Sequence, residues 1–186
     1  MSSIIKVDQI QLANGSTPTA GDLGLNVAGA VLQVKQSVKT DSYTASTINT
    51  FSDPSLYVDI TPTLASSKIL VSANLSLANS QGTCNAAFKL QRVIDGTTVD
   101  FVGYDPGTGT PCTSGFHGVN QDATYSTGTL YLDSPSTTST VRYKVVLFIG
   151  AGSTGTIYMN RCFNDPTAQV YRQTGMSTIT AQEIAG

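Results

Sequence analysis

Two parts of the chain differ in their capacity to bury themselves. From Val31 to Ile184 the sequence is a succession of short strand-like segments separated by turns, a pattern typical of one β domain. The residues before Val31 combine short apolar stretches with glycines and polar residues, and they cannot form a core of their own. We therefore predict an N-terminal arm over residues 1–30 and a head domain over residues 31–186.

The arm carries apolar side chains that follow neither a clean helical period nor a clean strand period. A turn signal, Asn14-Gly15, separates its two apolar segments, and the glycines of the second segment permit a close approach between backbones. We expect this arm to mediate attachment or oligomerisation, with a flexible leader as the alternative. The residues expected to make these contacts are Ile4, Ile5, Val7, Ile10, Leu12, Leu23, Leu25 and Val27.

Alternation of apolar and polar residues predicts the strands of the head domain, and it is clearest from Lys68 to Leu77. The pair Asp95-Gly96 predicts a two-residue turn in a hairpin between Phe88–Ile94 and Thr98–Val102. Val141–Ile149 has one apolar face and a second face that turns apolar near its end, so we expect it to be central in a sheet. Other strands are predicted at Val31–Val38, Tyr57–Thr61, Thr124–Leu132, Thr156–Arg161 and Ser177–Ile184.

About eight strands with short turns and no convincing helix indicate an all-β domain. The expected architecture is a two-sheet antiparallel sandwich with an extended N-terminal arm, and a jelly-roll-like topology is the first choice. An immunoglobulin-like sandwich fits less well, because the chain has no tryptophan and its cysteines are not arranged as the core bridge of that fold.

Composition argues against several classes of partner. Charged residues make up 12% of the chain and the net charge is -2, so we expect no nucleic-acid partner. No segment approaches the roughly 20 apolar residues that span a bilayer, and the polar residues within Met1–Leu12 do not fit a secretory signal, so membrane insertion is not expected. Cys84, Cys112 and Cys162 share no metal-site spacing and are expected to be free thiols, with a Cys84–Cys112 bridge left open.

Catalytic groups are sparse in the sequence. His117 is the single histidine, which excludes histidine pairs within one chain, and no nucleophile motif accompanies it. Most aspartates lie beside turn-forming residues, and the spacing of Asp100 and Asp105 around Tyr104 does not define a glycosidase pair. We expect no enzymatic activity, no cofactor and no metal.

The long polar segment Asp105–Ala123 is the strongest candidate for a binding surface, since long loops on rigid scaffolds often carry recognition. Aromatic residues lie in it or beside it. The alternative is that Phe116 and Tyr125 pack beneath the loop as its private core. The candidate receptor-contact residues are Tyr104, Phe116, His117, Asn120 and Tyr125.

Several segments resemble bacteriophage tail-fibre and related virion surface proteins of the kind found in phages of aquatic bacteria, including cyanobacteria. At the N-terminus the resemblance rests on Ile5-Lys6-Val7-Asp8-Gln9-Ile10, Asn14-Gly15-Ser16 and Gly24-Leu25-Asn26-Val27-Ala28-Gly29. In the body it rests on Val31-Leu32-Gln33-Val34, Ile60-Thr61-Pro62 with Ser66-Ser67-Lys68-Ile69-Leu70-Val71, Tyr131-Leu132-Asp133-Ser134-Pro135 and the terminal Ser177–Ile184. Together these segments span most of the chain in order.

This resemblance implies a homotrimeric virion component, made in the host cytoplasm, with a β-sandwich head and an N-terminal attachment segment. One function that fits is a short tail fibre or fibre tip, in which the loop Asp105–Ala123 reaches a host-surface glycan or protein. The other is a capsid decoration or cement protein, in which Ile4–Val38 clamps neighbouring capsid subunits. Both place the chain among other virion proteins. Because the chain has no repetitive shaft, a stubby fibre or a surface knob fits it better than an extended fibre.

Overall fold

The computed structural model describes residues 10–18, 28–80, 84–105, 107, 109–116, 122–150, 155–164 and 173–186. Within these ranges all regular structure is β, and there is no helix. The strands are β1 (Val31–Lys39), β2 (Tyr43–Ala45), β3 (Phe51–Ser52), β4 (Tyr57–Ile60), β5 (Lys68–Asn79), β6 (Ala86–Ile94), β7 (Thr97–Phe101), β8 (Ser114–Phe116), β9 (Tyr125–Asp133), β10 (Val141–Ile149), β11 (Ile157–Met159) and β12 (Ser177–Ile184).

The strands form two packed antiparallel sheets, which confirms the predicted sandwich. Sheet A has the order β1-β12-β5-β11-β2 with β9 paired to the other side of β5, and sheet B has the order β3-β10-β6-β7 with β4 and β8 as further partners of β10 and β6. Three pairs of strands lie end to end beside one long neighbour: β3 and β4 beside β10, β7 and β8 beside β6, and β11 and β12 beside β5. In the same way β1 and β2 lie beside β12 and β11. Each sheet is therefore four rows wide.

The rows pair in a nested way along the chain. The first row, β1 with β2, lies beside the last, β11 with β12, and the row of β3 and β4 lies beside β10. Further inward, β5 pairs with β9, and β6 pairs with β7 and β8. Most of the fold thus depends on contacts between residues far apart in the sequence.

Alternating side chains of the two sheets fill the space between them. In β5 the odd-numbered residues Ile69, Val71, Ala73, Leu75 and Leu77 are all buried, as the sequence pattern predicted. In β10, Val141–Ile149 has the predicted bounds and lies between β6 on one side and β3 with β4 on the other, so its central position is confirmed.

One group of buried polar side chains is paired across the two sheets. Asp133 at the end of β9 accepts a hydrogen bond of 2.7 Å from the buried Tyr143 hydroxyl of β10. The guanidinium of Arg92 on β6 reaches both oxygens of the same carboxylate, at 2.8 and 2.9 Å. One carboxylate of sheet A is thereby fixed to two strands of sheet B.

The end of the sandwich that contains Val31 and Ile184, named here the arm end, is held by a second buried carboxylate. Glu183 accepts hydrogen bonds from the backbone and hydroxyl of Thr63, from Ser67 and from Gln33, all at 2.6 to 2.7 Å. Burial of Glu183 opposes its ionisation, but these hydrogen bonds outweigh that effect and lower its pKa. Glu183 therefore stays ionised while joining the β4–β5 connection to β1 and β12.

The root of the predicted arm is attached at the arm end. The backbone amide of Gly29 donates to the carbonyl of Ala185, and the amide of Ala185 donates to the carbonyl of Ala30, both at 2.8 Å. Of the arm residues named above, Ile10 is 49% exposed and Leu12 is half-buried, and the other six lie outside the described residues. The predicted turn at Asn14-Gly15 is confirmed, with Gly15 at φ 79. The boundary between arm and head stays a prediction.

Local predictions agree with the structure where the sequence carries a turn or alternation signal. Asp95 and Gly96 have φ values of 47 and 81 and join β6 to β7, so the hairpin is confirmed. The expected strand Thr156–Arg161 was too long, since it ends at Met159 and Arg161 only bridges to Thr174. Three short strands had no sequence signal: β2, β3 and β8.

Candidate functional site

The predicted receptor loop and the root of the arm lie at opposite ends of the sandwich. The end opposite the arm end, named here the distal end, is where β6 begins at Ala86 and β10 ends at Ile149, paired with each other. The segment that follows β7 returns to this end through β8, whose Phe116 also pairs with Ala86. The predicted receptor loop is thus attached to the distal end, away from the root of the arm.

Threonine 113 fixes the base of this loop. Its hydroxyl donates to the Phe101 carbonyl and accepts from the Leu90 amide, and its own amide donates 2.9 Å to the Phe88 carbonyl. The amide of Gly103 donates 3.1 Å to the Cys112 carbonyl and closes the segment between them. These bonds hold Gly103 and Cys112, the two ends of this segment, together beside β6 and β7.

A groove of about 600 Å³ lies at the distal end, within the size range of small-molecule binding sites. Its walls come from the start of β6, the end of β10, β8 and the loop before β8. The described lining residues are Cys84, Asn85, Ala86, Ala87, Thr110, Cys112, Gly115, Phe116, Phe148 and Gly150. The position of Gly150 is fixed by its amide, which donates 2.8 Å to the Asn85 carbonyl.

Two phenyl rings are among the apolar residues that line the groove. Phe148 lies on the outer face of β10, where it packs against Phe51 with 4.7 Å between ring centroids. Phe116 lies half-buried on β8 and packs against the core. Thr110 adds a hydroxyl and Asn85 an amide at the rim, so the groove combines aromatic faces with neutral hydrogen-bonding groups.

Among the described residues that line the groove there is no carboxylate, lysine, arginine or histidine. Its ionisable groups are the thiols of Cys84 and Cys112, and burial raises the pKa of both, so they are protonated at neutral pH. All three cysteines of the chain are free. Such a lining suits the binding of a neutral ligand and supplies no general acid or base at neutral pH.

One of the five predicted receptor-contact residues, Phe116, lines this groove. Its neighbours there, Thr110 and Cys112, belong to the predicted loop but not to the predicted contact set. Tyr104 is 89% exposed on the loop, and Tyr125 is half-buried at the start of β9, and neither belongs to the lining. His117 and Asn120 lie outside the described residues.

The lining of the groove by Phe148 and by the segment around Asn85 was not predicted from the sequence. The signal for Phe148 was present, because the outer face of Val141–Ile149 turns apolar toward its end, where a solvent-facing side would stay polar. The segment at Asn85 carries no comparable signal, since it becomes part of the groove only through long-range pairing of β6 with β8 and β10.

The distal end also contains a buried polar group without a partner among the described residues. Asn79, the last residue of β5, is 2% exposed, and its side-chain nitrogen makes no hydrogen bond in the described ranges. An unpaired buried donor costs about 1 to 3 kcal/mol. Among the described residues, the hydrogen bonding of Asn79 at the distal end is thus less complete than that of Glu183 at the arm end, where both carboxylate oxygens accept hydrogen bonds.

The outer face of sheet B carries most of the ion pairs. Arg142 binds Asp59 through two hydrogen bonds of 2.8 Å and lies 3.9 Å from the centre of the Tyr57 ring. Lys144 pairs with Asp53 at 3.1 Å. In the same way Lys89 pairs with Asp100 and lies over Phe51. These charges are mutually neutralised, so the face has no net excess of either sign.

The described ranges contain neither a metal centre nor a membrane-spanning helix. No group of three or more histidine, cysteine or acidic residues is arranged to hold a metal ion there. No helix in that part of the chain is long and apolar enough to cross a membrane. Comparison of the sequence with models of known protein families, and with curated proteins, found no match.

Proposed function

We propose that this chain is a structural virion protein, a short phage tail fibre or fibre tip, that attaches through its N-terminal arm and binds a host-surface glycan at the distal groove. The observation that carries the proposal is the placement of these two elements. The arm is rooted at the Gly29–Ala185 hydrogen bond on one end of the sandwich, and the groove opens at the other. Such a molecule can be mounted and can bind at the same time.

The nested pairing of the rows supports this proposal. A jelly roll also places eight rows in two sheets and occurs in viral capsid proteins and in lectins, and it is the topology proposed for this head. The link from fold to role is an analogy, because one fold supports many functions. The resemblance of the terminal segments to virion surface proteins agrees with it, and it is the source of the proposed homotrimer and of the proposed location on the virion.

The chemistry of the groove supports a glycan as the ligand class. Sugars present C–H faces that pack on aromatic rings and hydroxyls that bond to neutral side chains, and Phe116, Phe148 and Thr110 supply both kinds of contact. Because the described lining residues are uncharged, a neutral sugar fits them better than an anionic one. Binding without cleavage is the proposed activity, since these residues supply no acid or base at neutral pH.

The alternative is a capsid decoration protein, and the described part of the arm favours it as much as the fibre. Ile10, which precedes the Asn14-Gly15 turn, is 49% exposed, as expected of a residue that contacts a neighbouring subunit. In this role the arm clamps capsid subunits and the groove has no ligand.

Binding to cells tests the groove directly. The purified chain is incubated with a panel of intact cyanobacteria and other aquatic bacteria, and with polysaccharides extracted from the cells it binds. Ala87→Arg places a long side chain in the groove from an already half-exposed position, and it should reduce cell binding at least tenfold. Thr98→Arg on exposed β7 is the matched control and should bind normally. Equal binding by both variants, or binding to no cell in the panel, would contradict the fibre role.

A further inference from the structure

The outer face of sheet A is composed differently from the outer face of sheet B. In β5 the even-numbered side chains point away from the core, and β1, β9 and β12 present their outward residues in register with them. Three successive rungs cross the sheet: Leu132-Leu70-Gln182-Val34, Leu130-Ser72-Thr180-Gln36 and Gly128-Asn74-Thr178-Val38. These rungs are named here the neutral face, since none of their residues is charged.

Large aliphatic side chains are exposed along both margins of the neutral face. On β9, Leu130 and Leu132 are 67% and 49% exposed, and on β1, Val34 and Val38 are 55% and 48% exposed. Between these two strips lie threonine, serine, asparagine and glutamine, some already paired, as in the 2.9 Å bond from the Gln36 amide to Thr180. Single exposed aliphatic residues are common on protein surfaces, but four on one sheet face are a grouped apolar surface of the kind that marks an interaction site.

We propose that the neutral face binds a second copy of this chain. The neutral face can pack on an uncharged surface of a second copy without burying an unpaired charge, whereas it offers no charged group with which to select an acidic or basic partner. The outer face of sheet B, with its pairs such as Arg142–Asp59 and Lys144–Asp53, is by contrast suited to water. The two faces of the sandwich therefore have separate roles.

The size of the face is that of part of an interface. Four rows about 4.8 Å apart and three rungs about 6.6 Å apart give a projected area of roughly 380 Å². A stable interface buries about 800 Å² on each partner, so the neutral face supplies about half of it before side-chain relief is counted. Contacts from the adjoining segments supply the rest.

The location of the arm root adds continuity. Strand β1 carries the valine strip, and it begins at Val31 directly after the residues that pair with Ala185. A neighbouring copy packed on the neutral face thus lies beside the point where the arm leaves the head. This inference deepens the self-association that is part of the proposed function, but it does not depend on the groove or on its ligand.

The test is the mass of the full-length chain in solution, measured by sedimentation velocity and light scattering. The wild-type protein should have a multiple of the 19.4 kDa chain mass at about 10 µM. The double variants Leu130→Lys with Leu132→Lys, and Val34→Lys with Val38→Lys, should each weaken association at least 100-fold and give the single-chain mass. Ile48→Lys is the control, because Ile48 is similarly exposed at 41% but lies in a turn away from the face.

Hydroxyl-radical footprinting provides the second readout, and thermal melting checks that each variant is folded. Leu130→Ser with Leu132→Ser replaces the lysine variant if that variant is unfolded. In the wild-type oligomer the leucine and valine strips should be oxidised several-fold more slowly than Ile48. A wild-type monomer, an unchanged mass in both double variants, or strips oxidised as fast as Ile48 would overturn the proposal. Loss of cell binding by groove variants leaves this result unaffected, so the two proposals can fail separately.

Discussion

The hydroxyl of Tyr143 on β10 donates a hydrogen bond of 2.7 Å to the carboxylate of Asp133 on β9, and this bond joins the two sheets of the sandwich. Both residues are buried, and the remaining capacity of the carboxylate is used by Arg92. Burial, followed by the hydrogen bond to Asp133, raises the pKa of Tyr143, so the phenol stays a donor at every ordinary pH. The relative position of the sheets near the arm end depends on this group of three residues.

Removing either partner of this bond should destabilise the fold to different degrees. Tyr143→Phe should lower the free energy of unfolding by about 1 to 2 kcal/mol, because one buried hydrogen bond is lost while Arg92 still pairs with Asp133. Asp133→Ala should cost about 3 kcal/mol or more, since it leaves both Arg92 and Tyr143 without their partner. Urea unfolding measures both, with Tyr57→Phe on the outer face as the control. An equal effect of the two substitutions would contradict this account of the network.

Stability should fall in acid because of Glu183. Its pKa in the folded state is lowered below the ordinary value of 4.5, so the ionised form contributes stability above that pH. That contribution is lost as the pH falls from 4.5 through the folded-state pKa. Glu183→Gln should therefore reduce the melting temperature at pH 7 and lose most of this difference by pH 3. A difference that is the same at both pH values would show that the charge of Glu183 is not what stabilises the arm end.

The central strand β10 should not tolerate a charge on its inner face. Val145 is fully buried, and an unpaired carboxylate at that position costs several kcal/mol or more, so Val145→Asp should prevent folding. Circular dichroism and the soluble yield measure the outcome. Val99→Asp, at a partly exposed position on β7, should fold normally. A soluble, native-like Val145→Asp protein would contradict the placement of this strand.

The three cysteines should differ in their reactivity toward a thiol reagent. Cys112 is half-buried, whereas Cys84 and Cys162 are buried, so the native protein should react through Cys112 and the unfolded protein through all three. Because burial raises the pKa of Cys112, its reaction should speed up as the pH rises above 7. Cys112→Ser should abolish the native reaction. Recovery of a single thiol in denaturant would instead show a Cys84–Cys112 bridge.

The sequence predicted those parts of the fold whose signal is local. Lys68–Asn79 follows a two-residue alternation, Asp95-Gly96 fits only a tight turn, and Val141–Ile149 is apolar enough to require a central position. The strands β2, β3 and β8 are two or three residues long and are held by their neighbours, so their own sequences carry no comparable pattern.

The candidate site was only partly predictable for the same reason. The loop was singled out for its prolines, glycines and aromatics, and one of its residues, Phe116, lines the groove. A role of Phe116 in receptor contact stays a prediction. The groove itself exists because β6 pairs with both β8 and β10, which brings Asn85 and Phe148 together from distant positions. The carboxylate of Asp133 likewise finds Arg92 across a separation of 41 residues, which no local pattern reveals.

In the proposed role the two ends of the molecule have different partners, and co-sedimentation distinguishes them. The wild-type chain, a chain without residues 1–27 and the Ala87→Arg chain are each mixed with the bacterial cells that the wild type binds, and with phage particles that lack this subunit. The shortened chain keeps Gly29 and Ala30, and with them both hydrogen bonds to Ala185. We expect the shortened chain to sediment with cells but not with particles, and the Ala87→Arg chain to sediment with particles but not with cells. Sedimentation of the wild-type chain with particles alone, dependent on residues 1–27, would contradict the fibre role and establish a decoration protein.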